Sequence, residues 1–126
     1  MKTYLTAESI LQSEDFTYDE VDCPEWGGTV RIRSMSGTQR VTLKKAIEQG
    51  QNDIDEMVCV MCIVDADGNR IFNRSQIGEL GKKNTKAISR VAKRIVEISG
   101  LRDPEKAVKD AEKNSEGTES EGSSFD

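Results

Sequence analysis

Between Asn84 and Gly100 the apolar residues Ala87, Ile88, Val91, Ala92, Ile95, Val96 and Ile98 recur at i, i+3, i+4 and i+7, and this pattern constrains the fold more than any other feature. A stripe of that width needs an apolar surface to lie on. Asn84 is placed to cap the helix and Gly100 to end it. The longest apolar run, Met57 to Val64, has eight residues, against the roughly 18 to 20 needed to span a bilayer. The stripe is therefore expected to face a protein core, with no membrane partner. A chain of 126 residues holds one such core.

The partners of that helix can be read upstream. Thr6 is placed to cap a short helix from Ala7 to about Gln12, with Ile10 and Leu11 as its apolar contacts. From Phe16 to Cys23 the apolar residues alternate, with a one-residue phase slip between Tyr18 and Val21. Val30 and Ile32 alternate again after Pro24-Glu25-Trp26-Gly27-Gly28, so the spacing predicts a β-hairpin. Arg31 and Arg33 fall between its apolar positions and are expected to face water. Ser36-Gly37-Thr38-Gln39 fits a capping box. The helix it opens carries Val41, Leu43, Ala46 and Ile47 and should end at Gly50 in a left-handed conformation. A second helix, capped by Asn52 or Asp53, places Ile54, Met57, Val58, Met61 and Cys62 on one face and is expected to be the most buried element. Asp65-Ala66-Asp67-Gly68-Asn69 predicts a tight turn of a second small hairpin, and Ser75 a short helix closed by Gly81. The fold class is α+β: a mainly helical small domain with an N-terminal hairpin and a second short one.

Charge divides the chain. From Asp103 to Asp126 there are 8 acidic and 3 basic residues, so the whole net charge of −5 belongs to this end. It has too few apolar residues to offset the entropy of ordering it. The expected organisation is an ordered domain over 1–102 and a disordered acidic tail over 103–126. Within the domain, Gln76 to Arg102 has 7 bases against 2 acids, while Met1 to Val30 has 7 acids and 1 base. The two regions are expected to attract one another.

Several chemistries are excluded or weak. The chain has no histidine, which removes Ser-His and Cys-His nucleophile pairs and the commonest metal ligand. Cys59-x-x-Cys62 has the spacing of metal and redox sites, but only Cys23 could join it, and the pair lies towards the end of an apolar helix rather than at its start. Buried thiols are the better reading. Asp65-x-Asp67-Gly68-Asn69 invites a calcium-loop reading, yet with Gly68 at the sixth loop position the twelfth falls on Arg74, not on a glutamate. No catalytic residue, cofactor or metal is expected, nor is an enzyme. The N-terminus lacks the apolar stretch of a secretory signal, so the chain is expected to stay in a cytoplasm. One alternative is a helix-turn-helix DNA-binding protein using the basic segment 76–102, with Lys86, Arg90 and Lys93 on phosphates. The acidic tail opposes it, and nucleic acid is not the expected partner.

Three stretches, taken in succession, resemble the tail assembly chaperones of long-tailed bacteriophages. They are Pro24 to Arg33 followed by the Ser36-Gly37 helix start, Val64 to Phe72, and Ile77-x-x-Leu80-Gly81 before a helix ending Ile98-Ser99-Gly100-Leu101. The likeness spans roughly Leu5 to Arg102. It implies a non-catalytic assembly factor in the host bacterial cytoplasm, absent from the mature virion. Such a protein binds the tape-measure protein, keeps it soluble, and helps recruit tail-tube subunits. It also implies a longer form made by ribosomal frameshifting: Glu112-Lys113-Asn114 can be encoded with the slippery heptamer A AAA AAC, as can Lys83-Asn84. A homo-oligomer is left open. The residues expected to meet a partner are Trp26, Arg31, Arg33, Lys86, Arg90, Lys93 and Arg94, with a core-packed Trp26 and a merely solvated basic face as the alternatives.

Overall fold

The structure, a computed structural model, describes residues 2–101. The expected tail 103–126 and the frameshift position at Lys113 lie outside the described residues. The order of elements is helix α1 (Ala7–Leu11), strand β1 (Tyr18–Cys23), strand β2 (Gly28–Arg33), helix α2 (Gly37–Glu48), helix α3 (Ile54–Cys62), strand β3 (Ile63–Val64), helix α4 (Ile77–Leu80) and helix α5 (Thr85–Ile98). Single 3-10 turns at Pro24–Trp26 and Arg74–Gln76 complete it. This is the α+β architecture the sequence predicts.

The hairpin forms as expected: Tyr18 pairs with Arg33 and Cys23 with Gly28 in continuous antiparallel register. There is no phase slip. Val21, Cys23 and Ile32 point into the core, whereas Phe16 and Tyr18 belong to the opposite face, where the rings lie under Arg33 and Arg31. The apparent slip arises because Tyr18 lies on one face of a regular strand and Val21 and Cys23 on the other, with Phe16 just before the strand.

The second hairpin is reduced. Beyond the Asp65 turn, pairing is limited to one bridge between Val64 and Arg70. Ile63 and Val64 instead pair with Ile32 and Arg31, which makes β3 the third strand of a sheet ordered β1-β2-β3. A two-residue strand cannot be recognised from periodicity, and here it directly continues α3.

Helix α3 lies at the centre. Met57, Val58, Cys59, Val60, Met61 and Cys62 are all buried, so it is covered all round rather than along one stripe. Helices α2 and α5 pack against it, and α5 also rests on β1 and β2. The α5 stripe is buried as its spacing requires: Ala87, Ile88, Val91, Ala92, Ile95 and Val96 are 4% exposed or less. Local chemistry fixes the helix ends. Ser36 and Gln39 form the predicted capping box, Asn84 caps α5, and Gly50 has φ 74°. The Gly50 and Gln51 N–H groups close a Schellman motif on Ile47 and Ala46. Three expectations fail. Asp53 stands before α3, but its side chain makes no capping hydrogen bond. The cap before α4 is Asn73, which pairs with Gln76 and accepts from the Ser75 N–H. In α1, Ile10 and Leu11 are 52% and 83% exposed and touch no core, although the Thr6 cap forms.

Candidate functional site

Trp26 sits on the 3-10 turn at the hairpin tip, half-buried against the core. Its Nε1–H is shielded from solvent and has no hydrogen-bond partner among the described residues. It is thus the core-packed alternative that the structure adopts, and not an exposed anchor.

Arg31 and Arg33 also depart from expectation. They lie on the outer sheet face but are half-buried there rather than free in water. The Arg31 guanidinium lies 4.1 Å from the Tyr18 ring centre and donates to the Asp65 and Ala66 carbonyls. The Arg33 guanidinium lies 4.0 Å from the Phe16 ring centre and donates to Gln39 Oε1 at 3.1 Å. Each arginine ties a strand to a neighbouring turn or helix, and the stacking adds a modest cation–π attraction.

The basic face of α5 is partly consumed inside the molecule. Arg90 donates through Nη1 and Nη2 to the two carboxylate oxygens of Glu25, at 2.8 Å each. Arg94 donates to Asp19 at 2.7 Å and to Glu97 at 3.1 Å. The hydrogen bonds from Arg90 hold the Glu25 carboxyl down to about 2. A backbone hydrogen bond, then the one from Arg94, lowers Asp19. Lys86 and Lys93 stay exposed, and Lys86 adds its charge to the pull on Glu25. The predicted attraction between the acidic N-terminal part and the basic C-terminal part is therefore local: hairpin carboxylates meet α5 guanidiniums.

The cysteines and the acidic turn have structural employment. Cys59 and Cys62 are buried, and burial pushes both thiols up, Cys62 to about 12. Such thiols are poor nucleophiles and poor ligands. Asp65 Oδ1 accepts from the Asp67 and Asn69 backbone N–H groups at 2.9 Å each, so the carboxylate builds its own turn. Among the described residues no three His, Cys, Asp or Glu side chains gather as a metal site.

One concave feature lies on the opposite side of α3. A groove of about 440 Å³ runs between α2 and the segment 70–77. Its floor is Met57, Val60 and Met61, and Phe72 and Ile77 form apolar parts of one wall. Polar positions come from Thr38, Gln39 and Thr42 on α2, and from Arg70, Asn73 and Arg74 opposite. Gln39 is shared between site and scaffold: its Oε1 accepts from Ser36 N–H and Arg33, and its Nε2 donates to the Met61 carbonyl at 3.1 Å. None of the seven partner residues expected from sequence lines this groove. Its walls are at least 28 positions apart in the chain, from Thr42 to Arg70, so local patterning does not join them. The alternation Arg70, Phe72, Arg74 was the one local signal available.

No protein-family model matches the chain, and no curated protein sequence matches it. Its architecture is that of a small α+β protein with a three-stranded antiparallel sheet packed on helices. Among solved structures, that fold is similar to the bacteriophage HK97 tail assembly chaperone. The likeness has TM-score 0.59 and 18% identity, over 76% of this chain and 95% of that one.

Proposed function

We propose that this protein is a non-catalytic phage tail assembly chaperone. It binds the tape-measure protein in the host bacterial cytoplasm, keeps it soluble and helps recruit tail-tube subunits, and it is absent from the finished virion. The observation that carries the reading is the fold likeness, which extends over 95% of the solved HK97 chain. The sequence resemblance, drawn from different grounds, supports the same assignment. A long helical client exposes apolar stripes that must be shielded until tube subunits surround it, and a groove with a methionine floor suits such shielding.

DNA binding is the weaker reading. Its first helix would be the four-residue α4, and Arg90 is already committed to Glu25. The test is co-expression with the tape-measure protein of the same phage genome, followed by affinity capture. A soluble stoichiometric complex, with a client that is insoluble alone, is the expected result. A client equally soluble without this protein, and no co-capture, overturns the reading.

A further inference from the structure

We propose that the groove between α2 and the segment 70–77 receives an amphipathic helix whose apolar ridge is flanked by carboxylates. The proposal rests on the chaperone reading for the source of that helix, a segment of the tape-measure protein, and on the groove itself for the chemistry.

Charge gives the flank. Arg70 and Arg74 are exposed on one wall, and none of the described lining residues is Asp or Glu. Elsewhere in this fold an exposed guanidinium has a carboxylate within reach: Arg90 has Glu25, and Arg94 has Asp19 and Glu97. Neither Arg70 nor Arg74 makes an ion pair among the described residues. Two such cations beside an apolar floor complement an acidic partner and repel a basic one.

Backbone accounting gives the helix. The groove is bounded by α2, α3, α4 and the Asn73-capped turn, whose backbone groups bond largely within their own segments. The adjoining stretch 69–71 is bonded on its β3 side, through Asp65 N–H to the Asn69 carbonyl and Ile71 N–H to the Ile63 carbonyl. None of the described lining residues belongs to a strand of the sheet, so an extended peptide on the methionine floor would lack a ladder for its own N–H and C=O groups. A helix brings those bonds with it and presents only side chains. The unbranched thioethers of Met57 and Met61 can re-pack around more than one ridge.

The test uses the full-length chain carrying 13C-methyl methionine. Met57 and Met61 report from the groove floor, and Met35, held by its N–H on Ser99 Oγ, reports from outside the lining. The probes are two designed helices of roughly 18 residues, or five turns, with the same leucine ridge flanked by Glu in one and by Lys in the other. The Glu-flanked helix is expected to shift the Met57 and Met61 methyls and leave Met35 in place. It should bind roughly tenfold tighter than the Lys-flanked one at low salt, the difference shrinking as salt is added. In the doubly substituted chain, Arg70→Glu with Arg74→Glu, the order of the two peptides should reverse. Both substitutions are at exposed positions, and an unchanged Met35 signal with an unchanged far-ultraviolet circular dichroism spectrum shows that the fold is kept.

Equal binding of the two peptides, or binding that moves only Met35, overturns the proposal. So do Met57 and Met61 shifts that follow protein concentration, which assign the groove to a second copy. Shifts produced by replacing the acids of segment 103–126 with amides assign it to the chain's own acidic end and overturn it likewise. The two readings can fail separately. Capture of the tape-measure protein that survives the double substitution removes the groove and keeps the chaperone. Selective peptide binding without any tape-measure capture does the reverse.

Discussion

Arg90 and Glu25, 65 positions apart in the chain, face each other through two parallel hydrogen bonds of 2.8 Å. The contact fastens the middle of α5 to the turn that carries Trp26, and Arg94 with Asp19 repeats the arrangement further along the same helix. Helix α5 is thus held to the sheet by apolar packing beneath and by two guanidinium–carboxylate contacts at its edge.

That geometry makes stability depend on acid. The Glu25 carboxyl stands at about 2 in the folded chain, below the ordinary glutamate value of about 4.3. The folded state therefore holds fewer protons than the unfolded one between these values. The contribution of the pair is complete above about pH 5 and is lost as pH falls towards about 2. In Glu25→Gln the stability difference from the parent should be constant near neutrality and shrink through that window. Urea unfolding at stepped pH measures it, and a difference that grows on acidification contradicts the assignment.

Gln39 should matter more than the cap it completes. Ser36→Ala removes one N-cap acceptor, a loss of about 1 kcal/mol. Gln39→Ala also strips partners from Arg33 and from the Met61 carbonyl, and should cost about 2 to 3 kcal/mol. Denaturant midpoints of the two variants provide the comparison. Equal losses would show that only the helix start is involved.

Gly68 and Gly50 separate backbone strain from contact. Both have positive φ, 87° and 74°, but a Cβ on Gly50 would meet nothing, whereas one on Gly68 would lie 3.1 Å from the Tyr18 hydroxyl oxygen. Gly50→Ala should cost about 1 kcal/mol through conformation alone. Gly68→Ala should cost about 2 kcal/mol, and Tyr18→Phe in that background should recover the excess. Thermal unfolding of the three variants reads the difference.

Ile95 and Leu11 have similar volumes and opposite surroundings. Ile95 is fully buried and Leu11 is 83% exposed. Ile95→Ala should lose about 2 to 4 kcal/mol through the cavity it leaves. Leu11→Ala should stay within about 0.5 kcal/mol. A marked loss at Leu11 in a dilute monomer would mean that α1 packs on the domain.

The sequence by itself determined the elements whose signals are local. The α5 stripe, the Ser36 and Asn84 caps, the left-handed Gly50 and the hairpin around Pro24–Trp26 follow from spacing and from residue chemistry within a few positions. Cap and turn preferences act through hydrogen bonds between near neighbours, so the sequence contains all the information they need. Other readings depended on what lies across the fold. Whether Arg31 and Arg33 meet water depended on Tyr18 from the paired strand and on Phe16 just before it. Whether the basic face of α5 is free depended on Glu25 and Asp19. The role of Ile63 and Val64 depended on β2, which takes them as a third strand, and the groove exists only because α2 and segment 70–77 stand on either side of α3. Tertiary packing decided these matters because a side chain's partners are set by distance in space, and contacts between residues tens of positions apart leave no periodic trace in the chain.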